Sequence, residues 1–227
     1  MIIQAILLFL CLTAIWFYSY SIIAALEFFS RETSVDGAFT PALSILKPIR
    51  GLDGHAYESL ASFCRQDYPR FEVIFGVRDR DDPGVEVVEQ IMRDFPAIDI
   101  KLVVSDRSIG FNAKVSNLAN MEAEAAHDLL LISDSDIKVG PDYLKRLVQP
   151  MRNSGVGVVT CPYRSTASGF FGRLEALGTS TEFQAGVLVA RRMEGMKFGL
   201  GATILIRRAA EVGFSLESFA KCLSASS

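Results

Sequence analysis

The strongest constraint on the fold is the segment 129–136, an apolar run that ends in two carboxylates and reads LLLISDSD. Four consecutive large apolar residues indicate a strand that is buried on both faces, as in a parallel sheet. Sheets of this kind bind ligands at the carboxyl ends of their strands. We therefore expect Asp134 and Asp136 in a crevice, where their hard oxygen atoms suit Mg²⁺ or Mn²⁺. Because aspartate and serine are also common turn residues, a plain loop is the alternative.

The rest of the chain alternates between strand-like and helix-like patterns. Short apolar runs predict strands at 43–46, 73–77, 100–104 and 156–161, and helical spacing predicts helices around 57–65, 83–95, 112–119 and 141–151. This alternation predicts an α/β fold with a mainly parallel sheet and helices on both faces. The sequence has neither Gly-x-Gly-x-x-Gly after the first strand nor Gly-x-x-x-x-Gly-Lys-Ser/Thr, which disfavours nicotinamide oxidoreductases and P-loop enzymes.

Polar residues that follow the other strands extend the predicted crevice. Asp79 follows the second strand, where a carboxylate can hydrogen-bond a nucleotide base or ribose. Asp82 precedes Pro83, and this pair is typical of a helix start, so capping accounts for Asp82 without chemistry. Lys114 and Asn117 lie three residues apart on one side of a predicted helix. A lone helical lysine is also commonly a solvated side chain.

The first 26 residues contain no charged side chain, and as a helix they would extend roughly 37 Å, enough to span a bilayer. A cleaved signal peptide is the alternative, but the segment lacks a basic start and an Ala-x-Ala site and is too long. The cations Arg31, Lys47 and Arg50 that follow favour a cytosolic body. The 23 basic and 26 acidic residues are mixed along residues 27–227, which argues against nucleic-acid binding.

A second apolar stripe follows the last predicted strand. Phe170, Phe171, Leu174 and Leu177 have helical spacing, and this periodicity predicts packing in the core. The alternative is an interfacial surface that contacts a membrane, with the cations at 191–192 near the lipid headgroups.

Taken together, these motifs resemble those of ceramide glucosyltransferases and their bacterial relatives, including hopanoid biosynthesis-associated glycosyltransferases. The resemblance covers about residues 1–208 and rests on SILKP at 44–48 with Gly51 and Asp53, RDRDDP at 78–83, NAKVSNL at 112–118 and SDSD at 133–136. It implies a GT-A fold, a nucleotide-sugar donor, a lipid acceptor and inversion at the anomeric carbon. The implied boundaries are an anchor at 1–26, a linker at 27–41, an incomplete GT-A domain at 42–210 and a divergent tail at 211–227.

The resemblance also implies roles for single residues. Asp79 would contact the nucleotide, and Asp134 with Asp136 would hold a divalent cation, Mg²⁺ or Mn²⁺, that bridges the diphosphate. The donor-binding set that it implies is Lys47, Pro48, Asp79, Lys114, Asn117 and Asp134.

Inverting transfer also requires a general base for the acceptor hydroxyl. The related enzymes supply it from an acidic motif after the segment that matches 199–208, whereas residues 211–227 contain only Glu211 and Glu217 as acids. No catalytic base is therefore assigned, and a truncated family member is expected. The alternatives are a nucleotide-sugar-binding membrane protein without activity, and a polysaccharide or polyprenyl-phosphate glycosyltransferase.

Overall fold

The computed structural model describes residues 1–30, 34–52, 54–167, 169–196 and 199–208. The chain divides into two compact units. The helical unit comprises Met1–Thr33 and Pro162–Gly199, and the sheet unit comprises Ser34–Cys161 and Leu200–Ser227.

The sheet unit alternates strands with helices, as the sequence predicts. Its strands are β1 (Leu43–Pro48), β2 (Phe71–Val77), β3 (Asp99–Val104), β4 (Leu129–Ser133), β5 (Val158–Thr160) and β6 (Thr203–Arg207). Its helices are α2 (Ala56–Cys64), α3 (Gly84–Asp94), α4 (Ala113–Glu122) and α5 (Tyr143–Leu147). The first helix of the chain, α1, belongs to the helical unit.

Among the described residues, the strands form one six-stranded sheet in the order β3-β2-β1-β4-β6-β5. The first four strands in this order are mutually parallel, and β6 runs antiparallel to both β4 and β5. The predicted mainly parallel sheet is therefore confirmed.

Strand β4 shows why this sheet requires continuous apolar runs. Leu129 and Leu131 join the core cluster on one face, where α2, α3 and α5 pack. Leu130 and Ile132 join the cluster on the other face, where α4 packs. Because successive strand residues point to opposite faces, a strand covered on both sides needs apolar residues at every position. The prediction of helices on both faces is confirmed.

The parallel strands place their carboxyl ends at one edge of the sheet. Pro48 at the end of β1 pairs with Gly76 near the end of β2, and Val77 pairs with Val104 at the end of β3. Strand β4 pairs with β1 up to Ile132. The loops that follow β1, β2, β3 and β4 therefore meet at this edge.

One predicted helix differs in the structure. The pattern at 141–151 predicts a single helix, but α5 ends at Leu147 and a 3₁₀ turn, Gln149–Arg152, follows it. Pro150 explains the change, because it has no N–H to donate to the carbonyl four residues earlier. Leu144, Leu147 and Met151 are still buried, as the pattern predicts.

In the helical unit, the first helix is α1 (Ile2–Ser30), which continues four residues past the predicted apolar segment. It is long and apolar enough to cross a membrane. Helix α6 (Gly169–Gly178), a π-helical turn (Thr179–Phe183) and helix α7 (Gln184–Glu194) follow one another without a break. The prediction of core packing for the stripe at 170–177 is wrong, because its large apolar side chains are exposed.

Candidate active site

A cleft of about 660 Å³ opens where the loops after β1, β2, β3 and β4 meet. It is lined by polar and charged side chains from all four loops and from the start of α4. Six of the predicted site residues line it, namely Pro48, Asp79, Lys114, Asn117, Asp134 and Asp136.

The loop after β4 carries the two carboxylates that are predicted to hold a metal. Asp134 is half-buried, and its Oδ1 accepts a hydrogen bond from Lys114 Nζ in an ion pair. Asp136 is exposed at the cleft. The backbone N–H of Asp134 donates to Ala202 O at 3.1 Å, and that of Ile137 donates to Asp134 O at 3.3 Å, so the loop is fixed at both of its ends.

Lys47 supports this loop from beneath and does not line the cleft. Its side chain is fully buried, and Nζ donates to Asp134 O at 2.5 Å and to Ile137 O at 3.4 Å. The ammonium also lies 3.9 Å from the centre of the Phe63 ring. Burial lowers the pKa of Lys47 to about 7, against the opposing effect of the Asp136 and Asp134 carboxylates. Any part that Lys47 has in donor binding is therefore indirect.

The loops after β1 and β2 are tied together by Asp82. Its Oδ2 accepts from the Gly51 N–H at 2.9 Å, and its Oδ1 accepts from the Gly84 N–H at 2.8 Å at the start of α3. Gly51 has φ +71°, a conformation that favours glycine. Asp82 is thus bonded to the start of α3, as the capping prediction implies, but the N-cap itself is the next residue, Pro83, and Asp82 also links to Gly51. Asp79 is exposed, and its Oδ1 accepts from the Asp81 N–H at 3.0 Å.

Helix α4 begins at the cleft because Asn112 caps it. Asn112 Oδ1 accepts from the N–H groups of Lys114 at 3.0 Å and Val115 at 3.2 Å. One turn later, Asn117 Nδ2 donates to Gly76 O at 2.9 Å, which ties α4 to β2. Asn117 Oδ1 is buried without a hydrogen-bond partner among the described residues.

Sequence reasoning missed several residues of the cleft. Arg50 and Arg78 line it directly after β1 and β2, and the loop after β3 contributes Ser105, Asp106 and Arg107. The carboxyl-end rule would have found this third loop, since β3 is parallel to β2. The arginines add positive charge beside the carboxylates, which suits a ligand with phosphate groups.

Four residues named from the sequence fall outside the described residues. They are the cation Arg31, Asp53 of the first motif and the tail acids Glu211 and Glu217.

Comparisons with known proteins agree with the motifs. The sequence pattern described as Glycosyl transferase family 21 matches residues 6–223, so the match includes most of the segment 211–227. Ceramide glucosyltransferase 3 of Caenorhabditis elegans is 35% identical over 144 residues, which are 62% of this chain and 31% of that protein. A ceramide glucosyltransferase of Komagataella phaffii is 32% identical over 151 residues, 62% of this chain and 30% of that protein. The matched regions are less than a third of each relative's length.

Among solved structures, a mannosyltransferase from Pyrobaculum calidifontis, in complex with GDP-Man and Mn²⁺, superposes with a TM-score of 0.61. The match covers 85% of this chain and 56% of the mannosyltransferase, at 16% sequence identity. It shows that the fold is the GT-A glycosyltransferase fold, as the resemblance implied.

Proposed function

Because the chain belongs to glycosyl transferase family 21, we propose that it is a membrane-anchored inverting glycosyltransferase. Its donor is a UDP-sugar, glucose or N-acetylglucosamine, and its acceptor is a lipid hydroxyl of the ceramide or hopanoid type. The observation that carries the proposal is the cleft, which joins Asp134 and Asp136 with Lys114 and Asp79 at the carboxyl ends of parallel strands. In open α/β sheets this edge is where nucleotides bind.

The cleft residues fit a divalent cation. Asp134 and Asp136 offer carboxylate oxygens, and the described residues contain no cluster of three or more histidine, cysteine or acidic side chains arranged for a metal. Mg²⁺ and Mn²⁺ suit such a sparse set, because they are commonly held by one or two carboxylates, waters and substrate phosphates. When bound, the cation neutralises charge on the diphosphate leaving group.

The chain's own residues bind and orient the donor. Lys114 pairs with Asp134 and reaches the same part of the cleft, so its ammonium is placed to contact a phosphate oxygen when Asp134 takes another partner. Asp79, at the end of β2, accepts hydrogen bonds from the nucleoside. Asn117 lines the same cleft as Lys114, and we assign it to the donor-binding set with Lys114 and Asp79.

The membrane placement follows from α1, which is long and apolar enough to cross a bilayer. We place the sheet unit on the cytosolic side, because the first cations after α1 are Arg31, Lys47 and Arg50.

The experiment measures UDP binding to the full chain in detergent, with and without Mn²⁺, by calorimetry. We expect UDP binding to require Mn²⁺. We also expect Asp134→Asn to lower the affinity by about tenfold or more, because even the loss of a residue that only supports a metal ligand typically has an effect of this size. Asp81→Asn is the matched control, because Asp81 is exposed next to Asp79 but does not line the cleft.

Binding that is unchanged by a chelator and by Asp134→Asn would contradict the metal assignment. Release of UDP is then followed with ceramide, a hopanoid alcohol and polyprenyl phosphate as acceptors. Transfer to ceramide or to the hopanoid alone supports the lipid-hydroxyl acceptor, and transfer to polyprenyl phosphate supports the other glycosyltransferase class. Metal-dependent UDP binding without any transfer would instead identify a donor-binding protein.

A further inference from the structure

Helix α6 presents an unusually apolar surface. The exposed fractions of its large apolar residues are 76% for Phe170, 81% for Phe171, 55% for Leu174 and 57% for Leu177. Within α6, all of whose residues the structure describes, no side chain is buried. Clusters of exposed large apolar side chains on one element mark interaction surfaces in folded proteins.

Phe170, Leu174 and Leu177 lie on one side of the helix, because spacings of three, four and seven positions return to the same face, and Phe171, three positions before Leu174, widens that side. The remaining α6 positions include Gly172, Arg173, Glu175 and Ala176, which are small or charged. Helices that lie in the interface of a bilayer have an apolar side with Phe or Leu and a charged side, and α6 shares this division, with Arg173 and Glu175 as its charged residues.

The helical unit connects α6 to the membrane-crossing helix. Helix α7 continues from α6 through the π-helical turn and packs against α1. The buried residues of α1 are Ser21 and Ala24, and those of α7 are Leu188 and Val189. Small side chains on one helix allow the other to approach closely, as is common between membrane helices.

The charged end of α7 contacts the end of the apolar run in α1. Arg192 Nε pairs with Glu27 Oε2 at 3.0 Å, and its guanidinium lies 4.8 Å from the centre of the Tyr20 ring. The Arg191 guanidinium lies 4.9 Å from the centre of the Phe28 ring. Aromatic residues and cations at the end of a spanning helix occupy the headgroup level of a membrane. This group of contacts therefore marks the membrane surface on the unit to which α6 belongs.

We propose that α6 is a second membrane contact, which lies in the headgroup region of the bilayer that α1 crosses and inserts Phe170, Phe171, Leu174 and Leu177 among the lipid chains. The proposal rests on the membrane anchoring within the proposed function, but not on the donor site. Its occupant is the lipid surface, because α6 is joined through the π-helical turn and α7 to α1, the helix that enters the same bilayer.

The test uses the fact that Trp16 is the only tryptophan of the chain. The full chain with Trp16→Phe and Phe170→Trp is reconstituted in phosphatidylcholine vesicles, and its fluorescence is quenched by lipids brominated at shallow or deep positions or by aqueous iodide. The control carries Trp16→Phe and Val158→Trp, which places the probe on the exposed edge strand β5 of the sheet unit. Both chains share the loss of Trp16, so the comparison is matched.

For the Phe170→Trp chain we expect blue-shifted emission, strong quenching by the shallow bromines and little quenching by iodide. The Val158→Trp chain should show the opposite pattern. Iodide quenching of both probes to the same extent would overturn the proposal, as would quenching mainly by the deep bromines, which indicates a buried or spanning helix. A probe shielded from both lipids and iodide would also overturn it, because protein would then cover α6. UDP binding is measured on the same samples, so a failure of this proposal is distinguishable from a failure of the donor site.

Discussion

Replacing Glu72 with glutamine removes a buried charge that ties three strands together. Glu72 is 1% exposed on β2. Its Oε1 accepts from Ser44 Oγ at 2.5 Å and from the Ala126 N–H at 2.6 Å, and its Oε2 pairs with Lys101 Nζ at 2.7 Å. Glutamine has nearly the same shape and keeps one acceptor oxygen, but its amide N–H₂ then faces the lysine ammonium. The variant therefore loses the ion pair and sets donor against donor.

The size of the loss follows from these contacts. A hydrogen bond to a charged group contributes about 1.5–3 kcal/mol when buried, and we reduce this because the Lys101 side chain is 36% exposed. The expected decrease in the free energy of unfolding is about 2 kcal/mol at neutral pH. In a chain of this length that lowers the unfolding temperature by roughly 4–8 °C.

The pH dependence identifies the charge as the cause. Burial alone would raise the pKa of Glu72, but the hydrogen bonds from Lys101, Ser44 and the Ala126 amide outweigh it and hold the pKa below its ordinary value of 4.5. A carboxyl group whose pKa is lowered on folding stabilises the fold above pH 4.5, and this stabilisation is lost as the pH falls through the pKa of the folded state. The Glu72 hydrogen bond raises the pKa of Lys101 above 10.5, so the contribution is also lost at high pH. The unfolding temperatures of the variant and the wild type should therefore differ most between pH 4.5 and pH 10.5.

The assay is thermal unfolding of the detergent-solubilised chain from about pH 3 to pH 9, followed by circular dichroism. Glu89→Gln on the exposed side of α3 is the control and should leave the unfolding temperature unchanged. Equal stability of Glu72→Gln and the wild type near pH 7, or a difference that persists undiminished at about pH 3, would refute the reasoning.

Two further substitutions test the support of the cleft. A Cβ on Gly76 would meet Met121 Sδ and lie 2.6 Å from Asn117 Oδ1. Gly76→Ala should therefore displace α4, lower the free energy of unfolding by about 1–3 kcal/mol and weaken UDP binding. Gly157→Ala is the control because a Cβ there has no atom in reach, and an unchanged calorimetric affinity of the Gly76→Ala chain for UDP would contradict the packing argument. Lys47→Met should weaken Mn²⁺-dependent UDP binding because Asp134 O loses the shorter of its two hydrogen bonds, whereas exposed Lys138→Met should not. Although Lys47→Met should weaken binding, it should raise the stability of the fold. Since the pKa of Lys47 falls from 10.5 to about 7 on folding, wild-type stability rises with pH across that interval. The gain from methionine in thermal unfolding should then be largest below about pH 7, and a gain that is independent of pH would count against a buried ammonium.

The convergence of the cleft residues was predictable from the sequence. Asp79, Lys114 and Asp134 follow apolar runs or begin the next helix, and a parallel sheet brings all such positions to one edge. Local pattern and topology alone place them together. Their roles in binding and in holding a metal stay predictions.

The position of Lys47 was not predictable, because a lysine at the end of a strand is ordinarily solvated. Its burial depends on the carbonyl groups of Asp134 and Ile137, which come from a loop almost ninety residues away. Long-range contacts of this kind have no local sequence signal.

The stripe that contains Phe170 and Leu174 shows a different limit. Its periodicity correctly predicts a helix, but periodicity reports only that one side of the helix is apolar. It does not report whether protein or lipid covers that side.

The position of β6 affects how the chain is synthesised. Strand β6 is the last of the described strands to leave the ribosome, yet it lies between β4 and β5. Until residues 203–207 emerge, β5 has no strand among the described residues to pair with, and β4 exposes an unpaired edge. Unpaired strand edges promote aggregation of nascent chains. The strand that leads into the two carboxylates therefore has an unpaired edge during translation, and any pause before residue 203 prolongs its exposure.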